Sequence, residues 1–121
     1  MTRAHRHPIS DVLDLLGRRW ALRVLWELRG GPLTFRALRE RCGGVSPSVL
    51  NVRLAELRAT GLVEASADAG YAISAEGRRL GELLAPLTAF ASRWAEADPR
   101  RVAAVGAAAA GRGPRRRAGR A

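Results

Sequence analysis

Ser46, Ser48, Asn51 and Val52 fall within one short stretch that continues to Arg53 and Arg58. A hydroxyl, an amide and a branched apolar side chain are groups that read base edges. An amide both gives and takes a hydrogen bond along an adenine, and an apolar group meets a thymine methyl. Ser46, Arg36, Arg39, Arg53 and Arg58 are groups that hold phosphates, contacts that position a protein on a duplex without reading its sequence. The five arginines at 36, 39, 41, 53 and 58 against Glu40 and Glu56 leave a local charge of +3. Arg36 and Glu40, four apart, also suit an ion pair on one helix face. Other chemistry has poor material. His5 and His7 have no Cys, Asp or Glu at ligand spacing, and they belong to an arm that would not hold a site to catalytic tolerance. Asp11 and Asp14 read as acids beside a helix N-terminus. No glycine-rich phosphate loop follows a strand, so neither an enzyme, a metal site nor a cofactor is expected. Cys42, the single cysteine, reads as a buried thiol rather than a sensor.

These groups need elements to carry them. Ser10 is a good N-cap for a first helix bearing Val12, Leu13, Leu15 and Leu16, which Gly17 stops. A second helix over about 19–28 ends at Gly30, Gly31 and Pro32. Its Trp20, Leu22, Val24, Leu25, Trp26 and Leu28 leave little room for water, which predicts a helix deep in a core or between subunits. Thr34 caps a short third helix with Phe35 and Leu38 inward, and Gly43 and Gly44 turn the chain. Ser46 and Pro47 then form a cap and first-turn pair, because the hydroxyl accepts a free amide where proline has none to offer. The fourth helix covers about 47–59 and stops at Gly61. At about 100° per residue, Leu50, Leu54 and Leu57 share an inward stripe. The opposite face holds Ser48, Val52, Ala55 and Ala59, with Asn51 to one side and Arg53 to the other. A face that merely met water would be charged; this one is small and would clear a groove floor, although an alanine-rich solvent face would look similar residue by residue. Leu62–Ser66 and Tyr71–Ile73 read as a small hairpin. Ser74 caps a long last helix with Leu80, Leu83, Leu84, Leu87, Phe90 and Trp94, which Pro86 should bend. The fold class is mainly α with a small β-hairpin, a helix-turn-helix followed by a wing.

With 121 residues, one domain is the default. No apolar run reaches the ~18 residues of a membrane span, and no signal sequence opens the chain, so a soluble, cytoplasmic protein is expected. The net charge of +10 is uneven. Residues 1–8 form a basic arm with two Arg, residues 9–98 carry twelve Arg against all eleven acids, and residues 99–121 carry seven Arg and no acid. The last segment has too few large apolar residues for a core and reads as a disordered tail, which a run from Ala107 to Ala110 could order briefly. Such a tail would add phosphate contacts at any sequence.

The chain resembles the HxlR family of bacterial winged-helix transcription regulators over about residues 7–96. The resemblance rests on Leu16-Gly17-Arg18-Arg19-Trp20, on the run from Gly31 to Leu38, on Val45-Ser46-Pro47-Ser48-Val49-Leu50 and on the run from Arg53 to Leu57. Gly61-Leu62-Val63-Glu64, Tyr71-Ala72-Ile73-Ser74 with Gly77, and Trp94-Ala95 complete it. It implies a homodimer built from the first and last helices, with two recognition helices in successive major grooves of an inverted-repeat operator. Several family members sense oxidants, quinones or aldehydes with a cysteine just before the proline of the first helix, where this chain has His7. The hairpin looks shorter than the family's usual wing and has no Arg, and the Arg-rich tail lies outside the family pattern.

The expected function is a sequence-specific, dimeric DNA-binding regulator, with Ser48, Asn51 and Val52 on bases. A sequence-indifferent nucleic-acid or nucleoid-associated binder driven by the basic ends is the alternative. Trp20, Trp26, Phe90 and Trp94 offer either a dimer interface or a pocket for a small-molecule effector. A large apolar surface on so small a chain needs a partner.

Overall fold

A computed structural model describes residues 7–111. The arm from Met1 to Arg6 and the tail from Arg112 onward lie outside the described residues. The chain divides into two compact units after Glu82.

The first unit opens with α1 (Pro8–Leu16), α2 (Ala21–Leu28), α3 (Phe35–Cys42) and α4 (Pro47–Ala59). Strands β1 (Val63–Ser66) and β2 (Gly70–Ile73) follow, and the unit ends in the first turns of α5 (Ala75–Ala97). The core is aliphatic. Val24, Leu28, Leu38, Val45, Leu50, Leu54 and Leu57 are all but sealed from water, with Ala21, Leu25, Val63 and Ile73 buried beside them. Helix α2 packs on α1, α3, α4 and β2, so one short helix organises the unit.

Three side-chain caps appear where the sequence puts them. Thr34 Oγ1 accepts the amide of Ala37 at 3.1 Å, Ser46 Oγ that of Val49 at 3.2 Å, and Ser74 Oγ that of Gly77 at 2.9 Å. The expectation for Ser10 is corrected. Helix α1 begins at Pro8, whose fixed φ suits a first helical position, with His7 before it and no side-chain cap; the amide of Ser10 already binds the His7 carbonyl. Helix α2 likewise starts two residues later than expected, because Trp20 adopts a left-handed φ of 76° and ends the Arg18–Trp20 turn. Nor is α2 buried all round. Ala21, Val24, Leu25 and Leu28 face the core, while Leu22 and Trp26 stay 43% and 50% exposed.

The hairpin pairs Val63 with Ile73 and Ser66 with Gly70, antiparallel. Leu33, ahead of α3, adds a bridge to Tyr71 through bonds of 2.9 and 2.8 Å, so the wing is anchored to the entry of the helix-turn-helix. Gly70 is obligatory there: its φ is +85° and a Cβ would overlap the Leu33 carbonyl. At the other end Ser74 also donates to the Gly61 carbonyl at 2.6 Å, tying the start of α5 to the turn after α4.

The second unit holds the rest of α5, with Pro86 inside it, and α6 (Arg100–Gly111). Helix α6 orders the start of the segment expected to be a disordered tail, from Arg100 to Gly111, well beyond the brief ordering expected from the run at Ala107 to Ala110. Its start explains it. Asp98 Oδ1 accepts the Arg100 amide at 3.1 Å, Pro99 follows as in the Ser46-Pro47 pair, and the residues beyond are rich in alanine, the best helix former.

Candidate nucleic-acid interface

Helices α3 and α4 form a helix-turn-helix joined by residues 43–46. The turn is built from three devices. Gly43, at φ 68°, closes α3 by giving its amide to the carbonyls of Arg39 and Glu40. Val45, within the turn, is buried in the core. Arg39 Nε donates to the Val45 carbonyl at 3.1 Å, which fixes the approach to the Ser46 cap.

Helix α4 then sorts its residues by face. Leu50, Leu54 and Leu57 are buried, Val49, Arg53 and Glu56 lie at half-buried edges, and Ser48, Asn51, Val52, Ala55, Arg58 and Ala59 face outward. Val52 is 50% exposed. The three residues expected at bases therefore share an uncovered surface of small side chains, free of acids, with Ser46 at its N-terminal edge and Ser46 Oγ 3.5 Å from Ser48 Oγ.

The arginines divide into two groups. Arg36, Arg39 and Arg58 are exposed. The Arg36 side chain is 90% exposed and its pair with Glu40, at 3.7 Å, is loose enough to exchange for a phosphate. Arg53 does not fit the expectation of a phosphate ligand. Its side chain is only 19% exposed, its Nε donates to the Arg19 carbonyl at 2.7 Å, and one Nη reaches Glu56 Oε1 at 3.0 Å. The reason is geometric: position 53 faces the turn between α1 and α2, a neighbour that helical periodicity cannot reveal. Glu56 takes a second guanidinium, Arg18, on Oε2 at 3.1 Å, and Arg18 also binds Asp14 at 3.1 Å. The Arg18 guanidinium is held above its ordinary value, first by the Asp14 hydrogen bond and then by the charge of Glu56. This network went unread in the sequence, although Arg53 and Glu56 at helical spacing signal half of it.

The wing contributes no positive charge. Its outward residues from Glu64 to Ala69 include Asp68 at the tip, where Ser66 Oγ accepts the amides of Asp68 and Ala69. The aromatic residues fall in both units. Trp20 is half-buried, and Trp26 carries the Arg29 guanidinium 3.6 Å above its ring. Phe90 is exposed and Trp94 half-buried on α5. Cys42 is buried, and burial pushes its thiol up, with the charge of Arg23 opposing. Among the described residues no group of three or more His, Cys, Asp or Glu could hold a metal ion, and no helix is long and apolar enough to cross a membrane.

The profile of the HxlR-like helix-turn-helix family matches residues 15–99. Over 100 residues the chain is 30% identical to an uncharacterized HTH-type transcriptional regulator of Synechocystis sp., spanning 78% of this chain and 74% of that protein. Quinone-bound YodB of Bacillus subtilis superposes with a TM-score of 0.67 at 27% identity, over 70% of this chain and 96% of that one. A possible HxlR family transcriptional factor of Thermoplasma volcanium gives 0.66 at 28% identity, over 74% and 86%.

Proposed function

The chain belongs to the HxlR-like helix-turn-helix family, and from that premise we propose that it is a DNA-binding transcriptional regulator acting as a homodimer on an inverted-repeat operator. The observation that carries this reading is the outward face of α4, where Ser48, Asn51 and Val52 lie uncovered while Leu50, Leu54 and Leu57 anchor the helix from behind. In the proposal α4 enters the major groove, those three residues meet base edges, and Ser46, Arg36, Arg39 and Arg58 meet the flanking phosphates. The wing, acidic at its tip, stays clear of the backbone.

Dimerisation is part of the proposal. Ile9 and Leu13 on α1, and Leu83, Leu87 and Phe90 on α5, are large apolar groups left more than half exposed. Water-facing side chains of this size at helical spacing favour a partner helix. The position where several family members carry a sensing cysteine holds His7 here, and the buried Cys42 is a poor substitute, so no thiol switch enters the proposal. The basic arm and the segment beyond Arg112 would add phosphate contacts without regard to sequence.

Footprinting the protein on its own upstream DNA, followed by competition with random duplex, tests the reading. A specific regulator protects one symmetric site and prefers it by roughly a thousandfold or more. Equal competition would transfer the function to a sequence-indifferent binder driven by the basic ends.

A further inference from the structure

Three guanidinium and carboxylate groups meet behind the recognition surface rather than on it. Glu56 receives Arg18, from the turn after α1, on one oxygen at 3.1 Å and Arg53, from its own helix, on the other at 3.0 Å. Arg53 simultaneously donates Nε to the Arg19 carbonyl at 2.7 Å. The turn it grips is the one place where a residue other than glycine takes a positive φ among the described residues, Trp20 at 76°. A bulky residue in that region persists only where its surroundings over-determine it. Here they do. Two separate bonds from α4 reach the residues just before Trp20, and Trp20 in turn starts α2, its carbonyl accepting the Val24 amide at 2.9 Å.

Leucines at 50, 54 and 57 bind α4 to the core, but apolar contacts are non-directional and permit a helix to roll or slide. Charge-assisted bonds with two anchors do not. We propose that Glu56 is a positioning residue for DNA reading: with Arg18 and Arg53 it clamps α4 to the α1–α2 turn and so sets the angle at which Ser48, Asn51 and Val52 meet base edges. The clamp also withdraws Arg53 from the phosphate contacts, trading sequence-independent affinity for discrimination.

This inference rests on the regulator reading above, and the test separates them. In the free protein, side-chain NMR of ¹⁵N-arginine reads the clamp directly: the Arg53 guanidinium, held at Nη by Glu56 and at Nε by the Arg19 carbonyl, rotates slowly about its Cζ–N bonds, and Glu56→Gln releases the Nη and makes that rotation fast. On DNA, Glu56→Gln lowers the preference for operator over random duplex by about tenfold, the size of one lost base-pair contact. It leaves affinity for random duplex unchanged, because Arg18 keeps Asp14 and Arg53 keeps the Arg19 carbonyl. Simple loss of stability would weaken both kinds of binding together. Arg18→Gln, a change at a partly exposed side chain, reproduces the loss, and the double variant Arg18→Gln with Glu56→Gln discriminates no worse than either alone. Additive losses, or an unchanged operator preference in Glu56→Gln, overturn the positioning role while leaving the regulator reading intact. A wild-type protein without operator preference overturns that reading and the positioning role with it.

Discussion

Asn51 stands on the uncovered side of α4 with an amide that can donate and accept along one adenine edge, whereas Val52 beside it offers only methyl groups. The two substitutions that remove them should therefore differ. Asn51→Ala is expected to cost about 1–3 kcal/mol at a single base step and to relax the preference there, which a panel of operators altered one position at a time would measure. Undiminished discrimination at every position would refute the assignment. Charge at this scale depends on surroundings as much as on type. Arg36 and Arg58 are available to phosphates because nothing encloses them, while Arg53, a few residues from Arg58, is committed to Glu56 and the Arg19 carbonyl. Cys42 shows the same dependence: a thiol whose burial favours the protonated form is a weak nucleophile, whatever its neighbours.

Among the elements, caps decide where helices begin and therefore where their side chains point. Ser46 supports the first turn of α4 through the Val49 amide, so Ser46→Ala should lower thermal stability by about 1 kcal/mol and weaken operator binding in the same variant. Calorimetry and operator titration together check it; lost stability without lost binding would mean that the first turn carries no contact. Helix α6 has a titratable cap. Arg100, through its side chain and its amide, holds the Asp98 carboxylate below its ordinary value of 3.8. A depressed folded-state value means that the capping contribution is complete above that ordinary value and is lost as pH falls through the lower one. The amide resonances of Arg100 and Arg101 should accordingly stay fixed down to pH ~4 and shift only below it, and in Asp98→Ala the shift should be absent. The wing illustrates the opposite constraint, close approach. Its β2 strand passes so near Leu33 and the start of α3 that Gly70 admits no side chain.

For the whole molecule, the proposed dimer answers the exposure of Leu83, Leu87 and Phe90. Sedimentation of the full chain at micromolar concentration should give a dimer, and Leu87→Glu with Phe90→Glu should give a monomer that binds operator far more weakly while its helical content persists. A wild-type monomer that still protects a symmetric site would refute the role given to those residues. Much of this was legible in the order of residues alone. The Thr34, Ser46 and Ser74 caps, the glycine stops, the leucine stripe of α4 and the hairpin are local patterns, and local patterns follow from helix and strand periods and from which amides lack partners. The outward placement of Ser48, Asn51 and Val52 follows from the same period. What the sequence could not decide involves residues far apart in the chain. That Trp20 turns left-handed, that Leu33 pairs with Tyr71 and that Arg53 serves Arg19 and Glu56 instead of a phosphate all depend on which distant segment packs alongside. Periodicity specifies the face a side chain occupies; only the packed chain specifies what that face meets.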